Sequence, residues 1–153
     1  MNTSDGDFAL VRLGEELRAS GYAFVTPTPA THALVNARCG SEAARSATDV
    51  FGWSRPFDER ALAPALFSNA CEAGVVEENG DRSIRSTVRF STLGECIFVH
   101  SAFPTDGADA VFFGPDTYRF ARLLAGVCGD WTLPTHVRVM DVGCGSGARG
   151  HCS

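Results

Sequence analysis

Long apolar runs are missing from this chain of 153 residues. No stretch approaches the roughly 20 consecutive apolar residues that a membrane helix requires. Met1-Asn2-Thr3-Ser4-Asp5 lacks the basic start and the apolar segment of a secretory signal. Together these absences predict a cytoplasmic protein with no membrane partner. Clusters of positive charge are missing as well. The net charge is −5, and the 13 basic residues are scattered arginines that form no run. A phosphate-binding surface concentrates its cations, so the balance argues against nucleic acid. The six cysteines (39, 71, 96, 128, 144 and 152) include no Cys-x-x-Cys pair. Their spacing fits no zinc pattern, and most stand among apolar or helical neighbours, where Cys acts as a small buried hydrophobe. No metal is expected, and the neighbourhood of Cys144 with His136 or the His151-Cys152 tail reads as chance.

What is present suits a globular chain with a core: 44% apolar and 20% charged residues. Phe8, Leu10, Val11, Leu13 and Leu17 predict an amphipathic helix over 8–20 with Gly21 as its stop. Thr26-Pro27-Thr28-Pro29 reads as a rigid connector, with Thr31 capping a short helix through Asn36. A third helix is expected over the Ala-rich 41–50, then an aromatic loop over 51–57. Asp58 is the expected N-cap of a helix over 59–73 that tolerates Pro64 near its first turn and ends at Gly74. Val75-Val76-Glu77, the turn Asn79-Gly80, the alternation of Ile84, Val88 and Phe90, and Cys96–His100 after Gly94 predict a β-ribbon. A helix that stops at Gly and then feeds a ribbon is the layout of a winged helix, a module that also docks proteins and substrates. Further on, Thr117 or Asp116 is expected to cap a helix over 118–127 with Phe120, Leu123, Leu124 and Val127 as its apolar stripe.

The richest stretch is Val137-Arg138-Val139-Met140-Asp141-Val142-Gly143-Cys144-Gly145-Ser146-Gly147. An apolar strand runs through a carboxylate into a glycine-rich turn, the place where α/β sheets receive nucleotide-like ligands. Glycines at 143, 145 and 147 let the backbone approach a ligand closely and adopt positive φ without strain. Gly145-Ser146-Gly147-Ala148-Arg149-Gly150 also fits the dinucleotide fingerprint, which leaves an oxidoreductase as one reading. Asp141 tips the balance, because a carboxylate two residues before the first glycine suits a cofactor with an ammonium group and no pyrophosphate.

Asp141 with Gly143, Gly145 and Gly147 resembles motif I of the class I S-adenosylmethionine-dependent methyltransferases. Phe112-Phe113-Gly114-Pro115-Asp116-Thr117-Tyr118 is similar to the segment before motif I in the release-factor glutamine N5-methyltransferase group, with Gly114-Pro115 where Pro-Arg is more usual. The resemblance implies an α+β, winged-helix-like accessory domain over 1–103. An incomplete start of an α/β, Rossmann-like methyltransferase domain follows over 104–153. It implies S-adenosyl-L-methionine as cofactor, contacted by Asp141, Gly143, Cys144 through its backbone, Gly145 and Gly147. Pro115 and Thr117 would border its methionine end. The implied activity is N-methylation of a protein glutamine or a nucleobase. The family's Asn-Pro-Pro-Tyr/Phe motif is not in this sequence, so no catalytic residue is assigned. Six residues after Gly147, with an internal Gly, do not make the expected helix. The expectation is therefore a truncated or frameshifted chain, inactive alone. The alternative is a non-enzymatic winged-helix module that docks a protein or nucleic acid.

Overall fold

The computed structural model describes residues 4–38, 40, 43–80, 83–128, 138, 140, 142 and 144–147. Helix α1 spans Asp5–Ala19. It starts before the apolar periodicity does because Ser4 and Asp7 form a capping box. The Asp7 N–H donates to Ser4 Oγ at 3.3 Å, and the Ser4 N–H donates to Asp7 Oδ2 at 2.8 Å. Ala9, Leu13 and Leu17 form its buried stripe. Helix α2, Pro29–Asn36, is capped by Thr28 and not by Thr31, since Pro29 is preorganised for the first helical position. Helix α3 is only Ala47–Phe51, started by Ser46. The longer Ala-rich helix is not formed over its described part: Ala44 and Arg45 are not helical, and the Ala44 N–H donates to Pro56 O.

The single helix expected over 59–73 is divided. A 3₁₀ turn, Glu59–Ala61, follows Asp58, and α4 begins afresh at Pro64 and runs to Glu72. Proline disfavours helical backbone in the residue before it, and Ala63 accordingly sits extended at φ −61°, ψ 143°. Gly74, at φ +66°, closes α4. Helices α1 and α4 pack together, with Arg12 reaching Glu72 at 2.7 Å and Asn69 Oδ1 at 3.2 Å.

The β region is two hairpins instead of one ribbon. Strand β1, Val76–Asn79, pairs antiparallel with β2, Ser83–Ser86, and β3, Val88–Leu93, pairs with β4, Cys96–Ser101. The break falls at Ser86-Thr87. The Ser86 hydroxyl donates to the Val88 carbonyl at 2.8 Å, a local bond that competes with the ladder. Thr87 then ties both hairpins together, donating to Val75 O and accepting from Ala102 N–H.

Because side chains alternate along a strand, β3–β4 presents two faces. Val88, Phe90, Ile97 and Val99 join the main core with Leu13, Leu17, Phe24, Phe51, Phe57 and Leu66. Arg89, Ser91, Phe98 and His100 lie on the other face, and all four are buried. Their cover comes from residues 111–118 together with Thr26 and Thr105. Val111 is tied to Ser101 in both directions, and Phe113 is fully buried beside Phe98, His100 and Tyr118.

Helix α5 spans Pro115–Cys128. It starts ahead of the expected 118 because Pro115 takes the first helical position and the Thr117 hydroxyl accepts the Gly114 N–H at 3.4 Å. Its buried side differs from the expected stripe: Ala121 is buried, while Leu123 and Val127 are exposed. Of the strand expected over 137–141, Arg138 and Met140 are described. Both are exposed and neither is in a strand, having no described strand beside them. Val137, Val139 and Asp141 lie outside the described residues. The architecture is thus a small mixed α/β fold with five α-helices and two small antiparallel sheets among the described residues. No helix among them is long and apolar enough to cross a membrane.

Candidate functional site

The glycine turn and the start of α5 come together. Gly145 and Gly147 hold φ +53° and +75°, values that a side chain would make costly. The Gly147 N–H closes the turn on the Cys144 carbonyl at 2.9 Å. A Cβ on Gly145 would stand 3.8 Å from the Phe112 carbonyl oxygen. Three residues on, Pro115 opens α5. Gly145 therefore lies beside Phe112, just ahead of the segment that carries Pro115 and Thr117. Asp141 and Gly143 lie outside the described residues. Thr117 spends its hydroxyl as an acceptor on Gly114, which makes it a helix-start residue first. Cys144 is exposed and free, as is Cys71, and Cys96 is half-buried and free. Among the described residues no group of three or more His, Cys, Asp or Glu is arranged to hold a metal ion.

Beneath this segment lies a polar seam that the linear sequence does not reveal. His100 Nε2 stands 2.8 Å from Ser91 Oγ and 3.4 Å from Thr26 Oγ1, and the two hydroxyls hydrogen-bond each other. The Tyr118 hydroxyl accepts from the Thr26 N–H at 3.1 Å. Ser91 is fully buried and the His100 ring stacks on Phe113 with centroids 5.2 Å apart. Burial, then the positive charge of Arg89, lowers the His100 pKa to about 3, so the ring is neutral at ordinary pH. A hydroxyl sealed in this way cannot meet a substrate. The seam fastens the extended 22–28 segment, the ribbon and α5 to one another.

Arg89 and His32 are the other residues missed by sequence reading. Arg89 is 3% exposed. Its Nε donates to the Ser101 carbonyl at 3.2 Å and Nη2 to Thr105 Oγ1 at 3.4 Å, and no carboxylate among the described residues pairs with it. Burial lowers its pKa to about 10, with Tyr22 and Tyr118 acting in the opposite direction, so it stays cationic. His32 is 1% exposed and stacks on Phe103 with ring centroids 4.1 Å apart. Its Nε2 is buried with no hydrogen-bond partner among the described residues. Burial and then Arg89 lower its pKa to about 4, against a smaller raising effect of the Gly52 backbone. Alternation along β3 and β4 could have placed Arg89, Ser91 and His100 on one face. Nothing in the sequence told that the face was covered. Trp53 packs edge-on to Phe24 with centroids 5.1 Å apart.

No protein-family model matches this chain, and no curated protein or solved structure is significantly similar to it.

Proposed function

We propose that the chain carries the cofactor-facing start of an S-adenosyl-L-methionine-dependent N-methyltransferase, acting in the cytoplasm on a nitrogen of a protein glutamine or a nucleobase. The observation that carries this reading is the meeting of the glycine turn with the 112–117 segment. Two glycines at positive φ leave the backbone of the turn bare, and Gly147 has nothing within 4 Å of its absent Cβ. That opening suits a ligand laid against the main chain, in the manner of motif I. S-adenosyl-L-methionine supplies an already activated methyl group, so little acid–base help is needed and alignment dominates. Cys144, Gly145 and Gly147 would hold the cofactor by backbone, Asp141 would take its ammonium group, and Pro115 would border the methionine end. The part through Phe103 reads as a winged-helix-like accessory module, since α4 stops at Gly74 and feeds two hairpins. The part from 104 onward reads as the first portion of a Rossmann-like domain.

Saturation-transfer NMR of the chain with S-adenosyl-L-methionine tests this, because it detects weak binding without needing turnover. Saturable binding is expected, abolished by Gly145→Val and untouched by Val11→Ala on the exposed side of α1. Absence of saturable binding in the wild type sinks the cofactor reading. The second reading, a non-enzymatic module that docks a partner, is favoured by the buried, unpaired guanidinium of Arg89.

A further inference from the structure

A cavity of about 250 Å³ opens between the start of α2, strand β3 and the 103–106 loop. That is below the roughly 300–1,000 Å³ of pockets for drug-sized ligands, so its occupant is small. Phe103, Phe112 and three prolines (27, 29 and 104) make most of its wall apolar. Its polar groups are few: Arg89, His32, Thr26, Thr105 and, at the exposed mouth, Asp106.

A guanidinium withdrawn from water without a counter-charge is costly, and chains rarely retain one unless something compensates it. Arg89 is such a group, and it lines this cavity. Its two described bonds go to a carbonyl and a hydroxyl, which leave the net positive charge standing. His32, whose Nε2 is buried without a partner among the described residues, lines the same cavity. Neutral, it adds no charge to the cavity wall. We infer that this cavity is a binding site for a single carboxylate borne on a small flat or apolar group, with Arg89 pairing the carboxylate and Phe103 and Phe112 flanking the apolar body.

One guanidinium neutralises one negative charge. Asp106 at the mouth repels a second, which disfavours phosphate, whereas a carboxylate matches the planar fork of an arginine. The site stands whether or not the glycine turn holds a cofactor, because none of its polar groups belongs to that turn.

The test is a thermal-shift and calorimetric titration of the full chain with sodium benzoate, benzamide and inorganic phosphate at matched ionic strength. Benzoate is expected to bind saturably. Benzamide, its neutral counterpart, is expected to bind at least about tenfold more weakly, as is phosphate. Arg89→Met should weaken benzoate by roughly tenfold to a hundredfold. Should that variant not fold, Asp106→Asn on the exposed mouth serves instead, and it should tighten benzoate by about two- to fivefold. A peptide with a free C-terminal carboxylate, set against its amide, separates the sources. Tighter binding of the acid peptide than of benzoate identifies a protein C-terminus, and the reverse order identifies a free carboxylic acid. No saturable benzoate binding, equal binding of benzamide, preference for phosphate, or an unchanged or weakened affinity in Asp106→Asn each overturns the inference.

Discussion

Phe112 turns its carbonyl to Gly145 and also lines Arg89's cavity, so a single residue borders both the glycine turn and the buried guanidinium. The ring is kept there by a missing side chain. A Cβ on Gly114 would come within 2.5 Å of Phe112 Cζ and 2.8 Å of Cε1.

Gly114→Ala should therefore swing the Phe112 ring aside. The ring is half exposed and free to move outward, so stability should change by less than about 1 kcal/mol. Benzoate affinity should fall several-fold as one wall of the cavity leaves. A urea titration together with calorimetry checks both halves of this expectation.

Gly52→Ala should behave differently, because part of its obstruction is main chain. The new Cβ would meet the Thr48 carbonyl oxygen at 2.6 Å and Phe24 Cδ2 at 2.5 Å. Phe24 is buried in the core against Trp53 and cannot yield cheaply. A loss of about 1–3 kcal/mol in urea denaturation is expected.

At the N-terminus of α1, Ser4→Ala removes one arm of the capping box while leaving the core untouched. The expected cost is about 1 kcal/mol, read as a lower urea midpoint with an unchanged slope.

Acid should loosen the fold through two buried imidazoles. The folded pKa values of His32 and His100, about 4 and about 3, lie below the ordinary 6.5. Between those limits the unfolded chain binds more protons, so stability is whole above pH 6.5 and is lost as pH falls toward 4 and 3. From pH 7 to pH 5 each ring should account for a loss of about 2 kcal/mol. His32→Phe keeps a ring against Phe103 and removes one titrating group. Its urea midpoint should fall less over that interval than the wild type's; an equal fall would remove His32 from the explanation.

Local signals carried much of the fold. The apolar spacing of Phe8 to Leu17, the glycine after α4 and the turns at Gly80 and Gly94 each act within a few residues, and each left its mark in the sequence. Boundaries were missed where a cap or a proline outranks periodicity: Ser4 before α1, Thr28 before α2, and Pro64 dividing one expected helix into two. The split into two hairpins depended on a single Ser86 hydroxyl, which no alternation pattern reveals. The Arg89–His32 cavity was illegible for a different reason. Arg89, alternating with Val88 and Phe90, reads as solvent-facing, and segments distant in the chain (Thr26, Thr105 and residues 111–118) turn that face into an interior. The glycine turn was legible as a motif, while its nearness to Phe112 belongs to the tertiary fold.

The double-sided burial of the β3–β4 ribbon has a practical consequence for dividing the protein. A cut between Phe103 and Pro104, where composition suggests a boundary, would strip Phe113 and Tyr118 from Phe98 and His100 and open a greasy, half-polar surface to aggregation. A piece that keeps this cover must run past Tyr118 into α5, so the start of that helix is also structural property of everything before it.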